Sequence, residues 1–206
     1  MLNKNTEFVV FDVETTGLSP ARGDKIIEIA AVKVKNKNII DSFVSLINPG
    51  RDLPEEAQKI NNITSDMVAE APMADEVLPG IIDFIGGACL VGHNISFDLN
   101  FLCCELAAMG RKLHDTTPAV DTLRMTRKLL PHLKNFQLTN IAYMLGIKVE
   151  GAHRAMADVH ITAKVLRSLL DFASDQKIDN FVELHRMFGV QKPNYPVAQG
   201  KQGSLF

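Results

Sequence analysis

The chain predicts an α/β fold, a sheet flanked by helices, on three observations. Phe8 to Val13 is a continuous apolar and β-branched run, as expected of a strand buried on both faces. Ile26 to Val34 and Ile39 to Ile47 are two further β-rich runs joined by the polar Lys35-Asn36-Lys37-Asn38, a loop of hairpin length, so they are expected as antiparallel neighbours. Ala88 to Val91 is a short apolar run that passes through Gly92-His93-Asn94 into a helical stripe of Phe101, Leu102, Leu106 and Met109 closed by Gly110.

The other elements follow in order. From Pro54 to Gly87 the pattern is helical, with Thr64 a candidate N-cap; Pro79-Gly80 interrupts a stretch that begins near Ala74 and predicts a kink or two short helices. Leu138 to Leu145 forms another helix with Ile141, Ala142 and Leu145 on one face and Gly146 as its stop. Ala155 to Phe172 is the longest clean helix signal, and stepping back three residues from Ile161 on its Ile161, Val165, Leu169 stripe puts Asp158 on the inward face. A carboxylate on a core-facing stripe needs a partner or a metal. After Gly189 the composition turns to Gln-Lys-Pro-Asn-Tyr-Pro, which buries little. The expected organisation is one domain over 1–188 and a flexible tail over 189–206, with no internal repeat.

Composition bounds the function. With 46% apolar and 22% charged residues the chain is ordinary globular protein rather than disordered or fibrous. No apolar run is long enough for a membrane span, and no secretory signal opens the sequence, so a cytoplasmic location without a membrane partner is expected. Cys89, Cys103 and Cys104 form no CxxC pair, which argues against a disulfide framework or a thiolate zinc site. A net charge of -2 offers no global field for a polyanion, so nucleic-acid binding would rest on a local patch or on bound cations.

Chemistry concentrates in the acids. Asp12 and Glu14, two apart on a strand, project from the same face at its C-terminal end, where open α/β sheets place their sites; alone they read equally well as strand-end surface acids. Asp98 opens the helix after the Gly92-His93-Asn94 turn, a position a helix dipole also favours for structural reasons. Together with Asp158, four acids from separated elements suit ligation of a hard cation by oxygen, with Mg²⁺ or Mn²⁺ the natural choice.

Three motifs carry a resemblance: Asp12-Val13-Glu14-Thr15-Thr16-Gly17-Leu18, His93-Asn94-Ile95-Ser96-Phe97-Asp98 and His153-Arg154-Ala155-Met156-Ala157-Asp158. In this order, over roughly Phe8 to Leu170, the chain resembles the DEDDh exonuclease family, that of the proofreading epsilon subunit of bacterial DNA polymerase III. Ile26-Ile27-Glu28-Ile29-Ala30-Ala31-Val32 and Val120-Asp121-Thr122-Leu123 add to the likeness.

The resemblance implies a ribonuclease H-like mixed five-stranded sheet flanked by helices. It implies hydrolysis of the phosphodiester at the 3′ end of a strand with two divalent ions, Mg²⁺ or Mn²⁺, held by Asp12, Glu14, Asp98 and Asp158, one for the attacking water and one for the leaving 3′-oxygen. His153 would be the general base, its imidazole with an unperturbed pKa of about 6.5 suited to taking a proton near neutrality. Five residues before Asp158, it belongs on the loop preceding the helix rather than on the same helix face. Thr15, Thr16, Gly17 and Leu18 would line the pocket for the terminal nucleotide, with His93, Asn94 and Phe97 from the second motif beside it. Asn61 stands where family members often carry a substrate-contacting His. Asp121 reads either as an acid behind the site or as an N-cap for the helix that follows.

Two features lie outside the motifs. Arg124, Arg127, Lys128, His132 and Lys134 form a basic cluster that could track phosphates, though a solvated helix face accounts for it as well. The last five residues, Gln202-Gly203-Ser204-Leu205-Phe206, resemble the bacterial sliding-clamp-binding pentapeptide, with Gln202, Leu205 and Phe206 as anchors and Gly203 where a Leu is usual. The resulting expectation is a DNA 3′-exonuclease for proofreading or repair. Its partners would be a single-stranded or frayed DNA 3′ end, the clamp and a replicative DNA polymerase. The competing readings are an RNA-trimming exoribonuclease and a catalytically silent adaptor.

Overall fold

The computed structural model describes residues 6–149 and 154–197. Five strands form one sheet in the order β3-β2-β1-β4-β5: β1 (Glu7–Thr15), β2 (Ile26–Lys35), β3 (Asn38–Leu46), β4 (Cys89–Gly92) and β5 (Ala119–Asp121). The first three run antiparallel, while β1-β4 and β4-β5 are parallel, so the sheet is mixed as expected. The β2-β3 hairpin turns on Asn36 and Lys37, both at positive φ, which gives the two-residue turn whose twist matches the strands.

A 3-10 turn over Pro20–Arg22 and eight α-helices complete the described chain: α1 (Glu55–Asn61), α2 (Ser65–Ala69), α3 (Ala74–Ile85), α4 (Ser96–Ala108), α5 (Thr122–Leu129), α6 (Leu138–Met144), α7 (Ala155–Asp175) and α8 (Phe181–Phe188). Alternation along β1 divides the core. Val9, Phe11 and Val13 pack with α3 and α4, whereas Phe8 and Val10 face the layer built from α5, α6, α7 and α8. A smaller cluster joins Ile27 to Leu53, Ala57, Ile63 and Val68 beneath α1 and α2.

Thr64 caps α2 as expected, its Oγ1 accepting the Met67 N–H at 3.3 Å. Of the two outcomes expected at Pro79-Gly80, two short helices do not form: α3 is a single helix with Pro79 inside it. Val77, Leu78, Ile81 and Ile85 bury one stripe, which outweighs the roughly 3 kcal/mol a proline costs inside a helix. Gly80 serves the packing, because a Cβ there would stand 3.3 Å from the Phe43 ring of β3. Beyond α8 the chain departs from the expected flexible tail: Gly189 bridges Val120, and the Val190 N–H donates to the Ala119 carbonyl at 3.0 Å. An exposed ladder edge on β5 takes up these residues, so the boundary drawn at 188 falls inside the folded body. All three cysteines are free, and no helix among the described residues is long and apolar enough to cross a membrane.

Candidate active site

β1 is the central strand, and its even-numbered side chains face α7. Asp12 and Glu14 therefore stand together on that face, and the first turn of α7 brings Asp158 to them: one carboxylate oxygen of each lies within 4.8 Å of the other two. All three side chains are half-buried. A bulge between Glu14 and Thr15 then turns the chain out of the ladder into the loop that follows.

Crowding and burial oppose ionisation here. Burial first, then Asp98, Glu14 and Asp158, push Asp12 well above the usual carboxylate range. Burial, then Asp158, Glu28 and Asp98, push Glu14 up to about 8 against a partial pull from Arg154. Three mutually repelling oxygen donors fit a hard divalent cation, whose charge would remove the repulsion between them.

Asp98 stands behind this triplet rather than in it. It is 3% exposed on the first turn of α4, and its Oδ1 accepts the Val13 N–H at 3.1 Å. The β1-β4 ladder ends at Val10 and Val91, so the Val13 amide lies beyond it and takes the side chain as its partner. Burial raises Asp98 to about 7 although the bonds from backbone N–H groups favour its charged form.

The nucleotide-pocket candidates are mostly engaged in holding their own loop. Thr15 Oγ1 donates to the Gly17 carbonyl at 2.6 Å, and Thr16 Oγ1 accepts the Lys25 N–H at 3.0 Å. Asn61 is buried, with Nδ2 donating to the Thr15 carbonyl at 3.2 Å. Gly17 lies against Asp24, whose Oδ2 would be 2.5 Å from an added Cβ, so a larger residue there would have to displace the Asp24 carboxylate. Leu18, 78% exposed, presents open apolar surface at the loop tip.

His93, expected to bind substrate, has both ring nitrogens engaged within the protein. Nδ1 meets Thr122 Oγ1 at 3.0 Å and Nε2 meets the Phe136 carbonyl at 2.9 Å, while burial lowers its pKa. It braces the turn after β4 instead of offering a free nitrogen. Asn94 adopts φ 65°, and its N–H donates to Asp121 Oδ1 at 3.0 Å. Asp121 also accepts the Leu123 N–H at 2.8 Å, so it both caps α5 and ties the turn. Phe97 is half-buried against Phe101, ring centroids 5.0 Å apart. His153 and the anchors Gln202, Leu205 and Phe206 lie outside the described residues.

One pair at the site had been assigned no role. Glu28, on β2 opposite Glu14, accepts from Arg154 Nε at 3.1 Å, from Arg154 Nη2 at 2.6 Å and from the Ala155 N–H at 3.0 Å. This fork fixes the start of α7 one turn before Asp158. The signal was present in the sequence: a glutamate inside the apolar run Ile26-Ile27-Glu28-Ile29-Ala30 demands a partner.

Sheet order, parallel and antiparallel pairing and a carboxylate-bearing end define a ribonuclease H-like nuclease fold. Residues 9–166 match the Exonuclease family, and the chain belongs to it. It is 44% identical over 161 residues to the PolC-type DNA polymerase III of Clostridium perfringens, covering 78% of this chain and 11% of that protein. With the PolC-type enzyme of Halalkalibacterium halodurans the identity is 40% over 210 residues, 97% of this chain and 14% of the relative. The chain thus spans a small fraction of the length of these relatives. Among solved structures, Exonuclease X in complex with 5′ overhanging duplex DNA is similar at a TM-score of 0.67 and 26% identity, over 81% of this chain and 93% of that one. E. coli Exonuclease I in complex with a dT13 oligonucleotide shares the fold at a TM-score of 0.75 and 22% identity, over 88% and 44% of the two chains.

Proposed function

We propose that this chain is a metal-dependent 3′ to 5′ exonuclease that removes nucleoside 5′-monophosphates from the 3′ end of DNA. The observation that carries the reading is the convergence of Asp12, Glu14 and Asp158 from β1 and α7, with Asp98 buried behind them. Bound there, two divalent ions of the Mg²⁺ or Mn²⁺ kind would supply Lewis acidity to the attacking water and the leaving oxygen. Asp12, Glu14 and Asp158 would hold them together with Asp98, which approaches from the buried side of the triplet.

The chain's other residues then have defined parts. His153 takes a proton from the water as its oxygen attacks the terminal phosphorus; the bond from phosphorus to the penultimate 3′-oxygen breaks, and that oxygen leaves as an alkoxide that takes a proton from solvent water. Arg154, gripped by Glu28, fixes the backbone next to His153. The Thr15-Thr16-Gly17 loop, braced by Asn61 and Lys25, shapes the pocket for the last nucleotide, and Leu18 lies against its base.

The likeness to PolC-type polymerases supports DNA as the substrate and a replicative polymerase as a partner. The Gln202-Gly203-Ser204-Leu205-Phe206 peptide supports tethering to a sliding clamp. The test uses single-stranded DNA labelled at either end, with Mg²⁺, Mn²⁺ or EDTA, beside RNA of the same sequence. Metal-dependent stepwise shortening of DNA from its 3′ end is the expected result. Shortening of RNA alone would transfer the enzyme to RNA trimming, and no shortening of either would leave an adaptor.

A further inference from the structure

From Thr122 to Val149 the chain holds no Asp or Glu, while Arg124, Arg127, Lys128, Lys134 and Lys148 lie within that span. The segment therefore carries +5 and the remainder of the chain -7 of the total -2. Some cations elsewhere are matched to acids, among them Lys25 to Glu105, Lys35 to Glu7, Lys37 to Asp171, Lys59 to Glu55, Lys112 to Asp115 and Arg154 to Glu28. Arg127, Lys128 and Lys134 are exposed, and among the described residues none of the three is ion-paired. Unmatched like charges grouped on one segment repel each other, an arrangement that an anionic ligand relieves.

The segment is also fastened to the rim of the acidic site. Asp121, at the site end of β5, caps α5 and holds the Asn94 N–H. The Phe136 carbonyl meets His93 Nε2, on the residue just after the end of the β4 ladder, and the Arg127 guanidinium lies 5.7 Å from the Phe136 ring centre. Lys134 is two residues before Phe136, and Lys128 is next to Arg127. Arg124 is committed elsewhere, donating to the Gly189 carbonyl at 2.7 Å. Three cations therefore group around the loop that meets the turn leading to Asp98.

We infer that the segment 122–149 is the track for the single-stranded nucleic acid leading into the site, with Arg127, Lys128 and Lys134 binding phosphates upstream of the terminal nucleotide. The inference rests on the nuclease reading above and adds the means by which a chain of net charge -2 holds a polyanion. Its energetic origin is counterion release, and each single-strand phosphate contact contributes about 0.7 to the slope of log affinity against log salt. Three contacts give a slope change of about 2. Because such contacts vanish near 1 M salt, their removal weakens binding about 100-fold at 0.1 M.

The experiment compares the wild type with the triple variant Arg127→Gln, Lys128→Gln, Lys134→Gln. A second variant, Lys128→Gln with Lys134→Gln, spares the Arg127-Phe136 contact in case its loss disturbs the fold. The charge-matched control is Lys33→Gln, Lys35→Gln, Lys37→Gln on the β2-β3 hairpin. Binding of a fluorescein-labelled oligothymidylate of about 20 nucleotides is read by anisotropy in EDTA across a salt series. KM is measured with Mn²⁺ on the same oligonucleotide and on the p-nitrophenyl ester of thymidine 5′-monophosphate.

The expected result is a salt slope smaller by about 2 in the triple variant and about 1.4 in the double variant, with binding weaker by about 100-fold and 25-fold at 0.1 M salt. KM for the oligonucleotide rises in step, kcat and the small ester are unaffected, and the hairpin control behaves as wild type. Unchanged slopes, or an equal loss in the hairpin control, overturn the track while ester hydrolysis by the wild type leaves the nuclease reading standing. If the wild type cleaves neither substrate, the nuclease reading has failed, and the slopes in EDTA still decide whether the segment binds single strands.

Discussion

Replacing Arg154 by alanine should destabilise the protein more than replacing its partner Glu28, although the two share the same hydrogen bonds. Glu28 is 2% exposed and Arg154 41%. Losing Arg154 leaves a carboxylate in a nearly dry position, opposite Glu14 on the neighbouring strand, with only the Ala155 N–H as its partner. Breaking a buried pair by removing one member costs about 3–5 kcal/mol, and the lower end applies because solvent reaches the arginine side. Losing Glu28 instead releases Arg154 to water and removes a charge that opposes ionisation of Asp12 and Glu14. What then remains is the buried, orphaned Ala155 N–H, a cost of about 1–3 kcal/mol partly offset by that relief. The double variant should match Glu28→Ala, so the two effects are far from additive. The chain has no tryptophan, so urea unfolding is followed by far-ultraviolet circular dichroism. At roughly 2–4 °C per kcal/mol for a chain of this size, Arg154→Ala lowers Tm by about 6–12 °C, and Glu28→Ala by several degrees less. Equal losses in the two single variants, or additive losses in the double, would refute the reasoning.

Three further outcomes follow from the same site. Glu14 and Asp98 are held at about 8 and 7 in the fold, above their ordinary values, so between about pH 4 and 8 the folded chain keeps protons that the unfolded chain gives up. Metal-free stability should therefore fall as pH rises through that window, and Mg²⁺ or Mn²⁺ should restore it at pH 8; a metal-free Tm that climbs from pH 5 to pH 8 contradicts the assignment. Asp12→Ala or Asp158→Ala should reduce DNA shortening to background while leaving metal-free Tm equal to or above wild type, since each removes a carboxylate from a repelling group. Substantial residual shortening would remove that residue from the ligand set. Deleting residues 202–206 should leave turnover of short oligonucleotides unchanged and abolish binding to the sliding clamp, measured by surface plasmon resonance; undiminished clamp affinity disproves the tether.

Four of the five strands were legible because their signals are local, whereas the three-residue β5 carries none of its own. Alternation on β1 placed Asp12 and Glu14 on one face, and the Ile161, Val165, Leu169 stripe placed Asp158 inward, which is where β1 and α7 bring them together. What escaped depends on contacts distant in sequence. Pro79 reads as a breaker until the buried stripe of α3 is known, and the docking of Gly189 and Val190 on β5 depends on an unpaired strand edge that no local pattern reveals. α8 follows a polar turn and is short, so only the burial of Leu184 and Phe188 against the α7 layer gives it away.

The acids at this end of the sheet look alike in the sequence, and the structure sorts them by their donors. Asp98 accepts from β1, Asp121 from the β4-α4 turn and α5, and Glu28 from Arg154 and α7. Each therefore stitches two elements together with a bond to a backbone amide. Asp12 and Glu14 are held in place by this stitching, and Asp158 comes to them on a helix whose start Glu28 fixes. Their proximity is imposed by the framework against their mutual repulsion, which is why their ionisation is suppressed and why a divalent cation is the ligand that makes the arrangement favourable. Glu28 and Asp121 are thus framework acids whose substitution should cost stability, whereas substitution of Asp12 or Asp158 should cost activity alone.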